Sequence, residues 1–234
     1  MTQTSEKPYR NYNLFSQYYL DNYIIQNPEW KKTDHITAFD QIKTLYSRES
    51  GILETLNEKQ LEERLFKPIF TILGLVCEVN EKTISREFPD YAFFFDTKTR
   101  DDAHKNKGNV DFFTSAIAIG EVKQWKIDLD RFRKVGSSYT EQPSRQIWHY
   151  LSVTEPKWGI LSNGRLWRIY CKNRRYDYFL EINLPELIAR NDVEGFRFFY
   201  YFFQKEAFLP SKDGPAFLDR VLKGSIDYAT DIGD

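Results

Sequence analysis

The stretch Ala116-Ile-Ala-Ile-Gly-Glu-Val-Lys123 decides how this 234-residue chain is read. Its opening residues are apolar at consecutive positions, the pattern of a central strand covered on both faces. Alternate residues of a strand share a face, so Glu121 and Lys123 project together while Val122 turns away. The two charges stand where the apolar run ends, at the point where a buried strand leaves its core. Upstream, Pro89-Asp90 opens the aromatic run Tyr91 to Phe95, a second strand that starts on a carboxylate. Two carboxylates on adjacent strands give Mg²⁺ the hard oxygen donors it prefers while leaving room for water and phosphate oxygens. A lysine beside them can orient an attacking water or stabilise charge building on a phosphorus centre.

Further out lies a helix predicted from Asn57 to about Leu73. Asn57 and Gln60 have the spacing of a capping box, Gly74 is a terminator, and Pro68 implies a kink or break. At about 100° per residue, Leu61, Leu65, Phe66, Ile69, Phe70, Ile72 and Leu73 make one wide apolar face. Glu62 falls near its middle, Glu63 at its edge, and Arg64 points the opposite way. A carboxylate on a core-facing stripe is costly unless paired or linked to a metal, so Glu62 joins Asp90, Glu121 and Lys123 as a candidate catalytic residue. Asp111 rivals Asp90, but a single strand from Asp111 to Glu121 would separate them by about 30 Å. Residues 112–119 contain no Gly, Pro, Asn or Asp to turn the chain.

The remaining elements complete an α/β (α+β) pattern. Helices are predicted over 11–26, 37–48, 143–152, 185–206 and 214–223. A weak strand is placed over Val79–Ser85 and another over Tyr178–Ile182. Asn163-Gly164 between two apolar runs signals a hairpin, strands 158–162 and 165–171. Gln146 and Tyr150 share one helix face. They suit contacts to DNA or to the water network of a metal site, and equally suit an ordinary polar surface. His149, alone, reads as structural or surface.

Composition sets the bounds. Apolar residues make up 41% of the chain and charged residues 29%, enough for a sizeable core and too apolar for a disordered tail. The net charge of −1 argues mildly against a nucleic-acid binder. Local basic groups offset that: Lys123, Lys126, Arg131, Arg133 and Lys134 in one stretch, Arg165, Arg168, Lys172, Arg174 and Arg175 in another. Two cysteines without metal-ligand spacing and a polar N-terminus lacking an apolar signal segment give the expectation of a cytoplasmic protein with no membrane association. The longest aromatic run, Phe196 to Phe203, is far short of the roughly 20 residues needed to span a bilayer.

These pieces together resemble the N-terminal nuclease region, of the PD-(D/E)XK type, of type IIG restriction-modification enzymes. The likeness runs from about residue 14 to 170. It comprises Leu14-Phe15-Ser16 with Tyr19-Leu20, then Pro28-Glu29-Trp30, and Asn57-Glu58 with Glu62, Pro68 and Leu73-Gly74. It continues through Phe88-Pro89-Asp90-Tyr91 and Gly120-Glu121-Val122-Lys123 with Trp125 and Leu129-Asp130. It closes on Pro143-Ser144 with Gln146-Ile147, and Trp158 to Leu161 followed by Ser162-Asn163-Gly164 and Trp167 to Tyr170. Valine replaces alanine inside the Glu-x-Lys, and serine replaces threonine before Asn-Gly; neither change removes a catalytic group.

The resemblance implies a restriction-endonuclease-like mixed β-sheet flanked by helices. Residues 1–56 would form an N-terminal helical extension packed on the core. Residues 57–184 would be the nuclease core, and 185–234 C-terminal helices leading into a linker. It implies Mg²⁺-dependent hydrolysis of DNA phosphodiester bonds, with Mn²⁺ able to substitute and Asp90 and Glu121 as metal ligands. Double-stranded DNA would be the substrate, and methyltransferase and target-recognition domains would be fused or associated partners. No Asn-Pro-Pro-Tyr and no Gly-rich cofactor loop occurs in this chain. The alternatives are the same fold with a spent active site, serving as a DNA- or partner-binding module, and a nuclease for RNA or single strands.

Overall fold

The computed structural model describes residues 6–79, 88–135, 139–212 and 214–231. In chain order its strands are β1 (Arg10–Tyr12), β2 (Val76–Val79), β3 (Tyr91–Phe94), β4 (Ala118–Val122), β5 (Arg133–Val135), β6 (Tyr139–Glu141), β7 (Trp158–Ser162), β8 (Leu166–Cys171) and β9 (Phe179–Asn183). Its helices are α1 (Gln17–Asn22), α2 (Asp34–Glu49), α3 (Glu58–Leu61), α4 (Lys67–Ile72), α5 (Thr97–His104), α6 (Pro143–Val153), α7 (Leu184–Ala189), α8 (Phe196–Phe203) and α9 (Phe217–Asp231). Seven strands form one sheet in the order β1-β9-β8-β7-β4-β3-β2, and β5 and β6 make a separate hairpin. Within the large sheet β4 and β7 run parallel, and the other neighbours are antiparallel. The result is a mixed α+β fold with helices on both faces of a multi-stranded sheet.

Each face has its own apolar layer. The first holds Phe39, Phe66, Phe70, Trp167, Phe199 and Phe203, contributed by α2, α4, α8, the segment before α4 and strand β8 of the sheet. Phe70 meets Phe93 edge-on at 4.8 Å and Trp167 meets Phe199 at 5.3 Å, the arrangement aromatic quadrupoles favour. The second layer packs Ile147, Tyr150 and Leu151 of α6 against Ile119, Leu161 and Tyr170. Strand β4 is buried at all five positions, as its unbroken apolar run requires. Gly120 sits where a Cβ would come within 2.8 Å of the Phe93 ring and 3.3 Å of the Tyr91 Cβ. The absent side chain therefore lets the aromatic strand β3 close on β4.

The structure differs from the sequence expectation in several places. The helix expected over 11–26 is cut short: Arg10–Tyr12 joins the sheet edge beside β9, and α1 begins only at Gln17. Asn11 causes the break, its side chain bonding both the carbonyl and the N–H of Phe15 at 2.8 and 3.3 Å, and Asn13 turns the chain at φ 59°. Asparagine is among the few residues that take that conformation readily. The strand expected over 79–85 lies earlier, at Val76–Val79, and residues 80–87 lie outside those described. Residues 224–231, expected to begin a linker, continue helix α9. Among the described residues no helix is long and apolar enough to cross a membrane.

Candidate active site

Strands β3 and β4 pair with Tyr91 opposite Gly120, so the next residues outward, Asp90 and Glu121, face each other. Their carboxylates are interlocked with the backbone. Glu121 Oε2 accepts from the Asp90 N–H at 3.1 Å, and Asp90 Oδ2 accepts from the Val122 N–H at 3.2 Å. Both are buried, Asp90 at 4% exposure and Glu121 at 1%. Lys123 is also 1% exposed and pairs with Glu121. Its own N–H bonds Ser162 of β7 at 2.8 Å, which extends the parallel ladder by one residue and fixes where the side chain starts. Burial works against the ammonium, but Glu121, Asp90 and Glu141 together outweigh it and hold the lysine above its ordinary pKa.

Glu62 reaches this region from the other layer. Asn57 and Gln60 make the full capping box at the start of α3. The helix then widens into a π turn over Glu62–Phe66, with the Lys67 N–H bonding the Glu62 carbonyl five residues back. Pro68 supplies no N–H to the ladder, and the kink or break it implies takes the form of this wider turn just before it. The half-buried Glu62 carboxylate accepts from the Tyr91 hydroxyl at 2.7 Å. Burial raises its pKa, Asp90 and Glu58 add to the rise, and the Tyr91 hydrogen bond and Lys67 oppose it. Glu63, by contrast, is exposed and pairs with Lys67.

Two further elements close over the carboxylates. Helix α6 brings Tyr150, which is 2% exposed and accepts from Gln146 Nε2 at 2.8 Å. Burial raises the Tyr150 pKa, and the nearby Glu121, Asp90 and Glu141 raise it further, so this side chain faces the acidic cluster. The Gln146 Oε1 is buried with no hydrogen-bond partner among the described residues. The β5–β6 hairpin brings Glu141, 3% exposed and 3.2 Å from the Lys123 ammonium. Sequence reading missed Glu141. It lies 18 positions beyond Lys123 with no motif around it, and only the hairpin's return brings it back.

A second charge cluster joins the buried Arg168 and Glu181 to the exposed Asp130. Arg168 grips Asp130 with two bonds of 2.7 Å and Glu181 with a third of 2.7 Å. It also bonds the Ser144 hydroxyl at 2.9 Å. This ties β8 and β9 to the segment between β4 and β5 and to the start of α6.

Asp111 stays outside the site. It is exposed in a short 3-10 turn, Val110–Phe113. The chain does turn between Asp111 and β4 although residues 112–119 hold no Gly, Pro, Asn or Asp; Asn109, just before that stretch, caps the 3-10 turn and accepts from the Asp111 N–H at 3.3 Å. The basic stretches are also partly spent. Lys123 and Arg168 are buried in ion pairs, and Lys126, Arg131 and Arg175 pair with Glu54, Asp128 and Asp177.

Mg²⁺ is held by one or two carboxylates and fills its other positions with water and phosphate oxygens. Asp90 and Glu121 supply that number of hard donors, and the donor set fits Mg²⁺ or Mn²⁺. Among the described residues no three His, Cys, Asp or Glu side chains converge as a metal-holding group, an arrangement unlike the closed ligand sets of structural zinc. A scan against protein-family models finds no match, and searches of curated proteins and of solved structures likewise return none.

Proposed function

We propose that the chain is a Mg²⁺-dependent phosphodiesterase that cleaves double-stranded DNA, with a restriction-endonuclease-like fold. The observation that carries this reading is the register of β3 against β4. It sets Asp90 opposite Glu121 and leaves Lys123 buried beside them, with Glu62 and Tyr150 approaching from the two layers. Asp90 and Glu121 would hold the cation, which when bound polarises phosphate and lowers the pKa of water. Lys123 would stabilise the negative charge that builds as water adds to phosphorus and the ester P–O bond breaks. Glu62, whose pKa is raised chiefly by burial and whose carboxylate is oriented by the Tyr91 hydroxyl, would serve as a proton acceptor or donor at the edge of the site. The phenol of Tyr150 and the amide of Gln146 offer hydrogen bonds to phosphate oxygens.

The resemblance to type IIG enzymes adds methyltransferase and target-recognition domains as partners. With much of the basic charge paired internally, DNA binding by this chain should be weak and steeply salt-dependent. The direct test is incubation of supercoiled plasmid with the chain in Mg²⁺ or Mn²⁺, beside EDTA controls and Lys123→Ala. Nicking that needs the metal and disappears in Lys123→Ala supports the reading. DNA binding without cleavage under any metal would favour the spent-site module instead.

A further inference from the structure

We infer that Glu141 is a positioning residue for Lys123, keeping the ammonium in the site when Glu121 turns its oxygens to a divalent cation. The inference rests on the metal-dependent reading above and goes beyond it. Lys123 has two carboxylates within ion-pair distance, and they come from different elements. Glu121 stands two residues away on the same strand, and Glu141 stands on the β5–β6 hairpin at 3.2 Å. If Glu121 is a metal ligand, its negative charge is shared with the cation and its hold on Lys123 weakens. The ammonium, on a flexible four-carbon stem, is then repelled by the cation at close range in a buried setting. A carboxylate outside the ligand pair is needed to retain it, and Glu141 occupies that place.

The hairpin is built to hold Glu141 still. The register pairs Arg133 with Glu141 along the β5–β6 ladder. The next residue, Gln142, donates from Nε2 to the Asp130 carbonyl at 2.6 Å. Asp130 is in turn clamped by Arg168. The Ser144 N–H and hydroxyl both bond the Leu129 carbonyl, at 3.1 and 2.9 Å. The Arg168 cluster thus fixes both chain segments flanking the hairpin, and the hairpin presents one buried carboxylate to the lysine.

The test reads Lys123 itself. The full chain, as wild type and as Glu141→Gln, is exposed to a trace amine-acylating reagent in EDTA and in saturating MgCl₂. Acylation of Lys123 is followed by mass spectrometry, and Mg²⁺ binding is checked by calorimetry on the same samples. Wild type should protect Lys123 in both conditions. Glu141→Gln, which keeps shape and removes charge, should protect it in EDTA and expose it in MgCl₂, raising acylation by about tenfold or more. DNA nicking should fall in kcat with DNA affinity unchanged, and Glu141→Asp should recover part of it. If Glu141→Gln binds Mg²⁺ and Lys123 stays as protected as in wild type, the positioning role is overturned while the metal site stands. If wild type binds no Mg²⁺ at all, the metal reading falls and this inference with it.

Discussion

Two clusters of charge, each centred on a buried cation, are composed differently. Around Arg168, two carboxylates meet one guanidinium in bidentate and single bonds of 2.7 Å, with Arg10 adding a second cation 3.7 Å from Glu181. Around Lys123, three carboxylates from β3, β4 and the β5–β6 hairpin face one ammonium. The first grouping matches charge with charge and links four segments of chain, the form of a structural brace. The second sets three carboxylates against one ammonium, an excess of negative charge that the proposed metal-dependent reading would assign to a divalent cation. Burial alone does not separate a brace from a working site. The identity and number of the partners does.

The largest expected effect lies in the brace. Arg168→Met would leave Glu181, buried at 2% exposure, with the exposed Arg10 at 3.7 Å as its remaining cation and would release Asp130. Breaking such a pair from one side costs about 3–5 kcal/mol, measurable by urea unfolding. A loss below about 0.5 kcal/mol, the scale of an ordinary surface substitution, would show that Arg168 is no brace.

The opposite sign is expected in the acidic cluster. Asp90→Asn keeps an oxygen for the Val122 N–H that the carboxylate accepts, and it removes a repelling charge. In EDTA this variant should unfold at equal or higher urea concentration than wild type, whereas Glu121→Gln, which removes a partner of the buried Lys123, should lose stability. Clear destabilisation by Asp90→Asn would make this cluster a second brace.

pH should drive the two clusters in opposite directions. Burial pushes the Asp130 pKa up, but the Arg168 bond and charge, with Ser144, bring it below the ordinary value. A lowered carboxylate stabilises the fold above its unfolded pKa, about 3.9, and that contribution is lost as pH falls through the folded value. Glu62 is raised, chiefly by burial. Its contribution is full below about pH 4.3 and is lost as pH climbs through the folded value. In EDTA, the deficit of Asp130→Asn relative to wild type should therefore shrink as pH drops below about 4. The advantage of Glu62→Gln should grow as pH rises above about 4.3. Parallel unfolding curves at each pH would contradict both assignments.

Much of the acidic cluster is legible in the sequence, because the forces behind it are local. An apolar run that ends on Glu-x-Lys fixes a strand and a shared face, and the misplaced Glu62 follows from helical periodicity. The Asn-Gly hairpin and the Asn57 cap are likewise written in a few adjacent residues. What escaped depends on distant partners. Glu141 carries no signal until β6 returns beside Lys123, and Arg168 reads as one more basic residue until Asp130 and Glu181 surround it. The strand at Arg10–Tyr12 forms because β9 offers an edge, and the π turn at Glu62 compensates for a proline six residues later.

The central claim is that the Lys123 cluster, and not the Arg168 cluster, receives a divalent cation. Calorimetric titration of Mn²⁺ into wild type, Asp90→Asn and Asp111→Asn tests it most directly. Binding by wild type and Asp111→Asn, with affinity lowered at least about tenfold in Asp90→Asn, is the predicted result. No binding by wild type, or binding lost in Asp111→Asn and kept in Asp90→Asn, would contradict it.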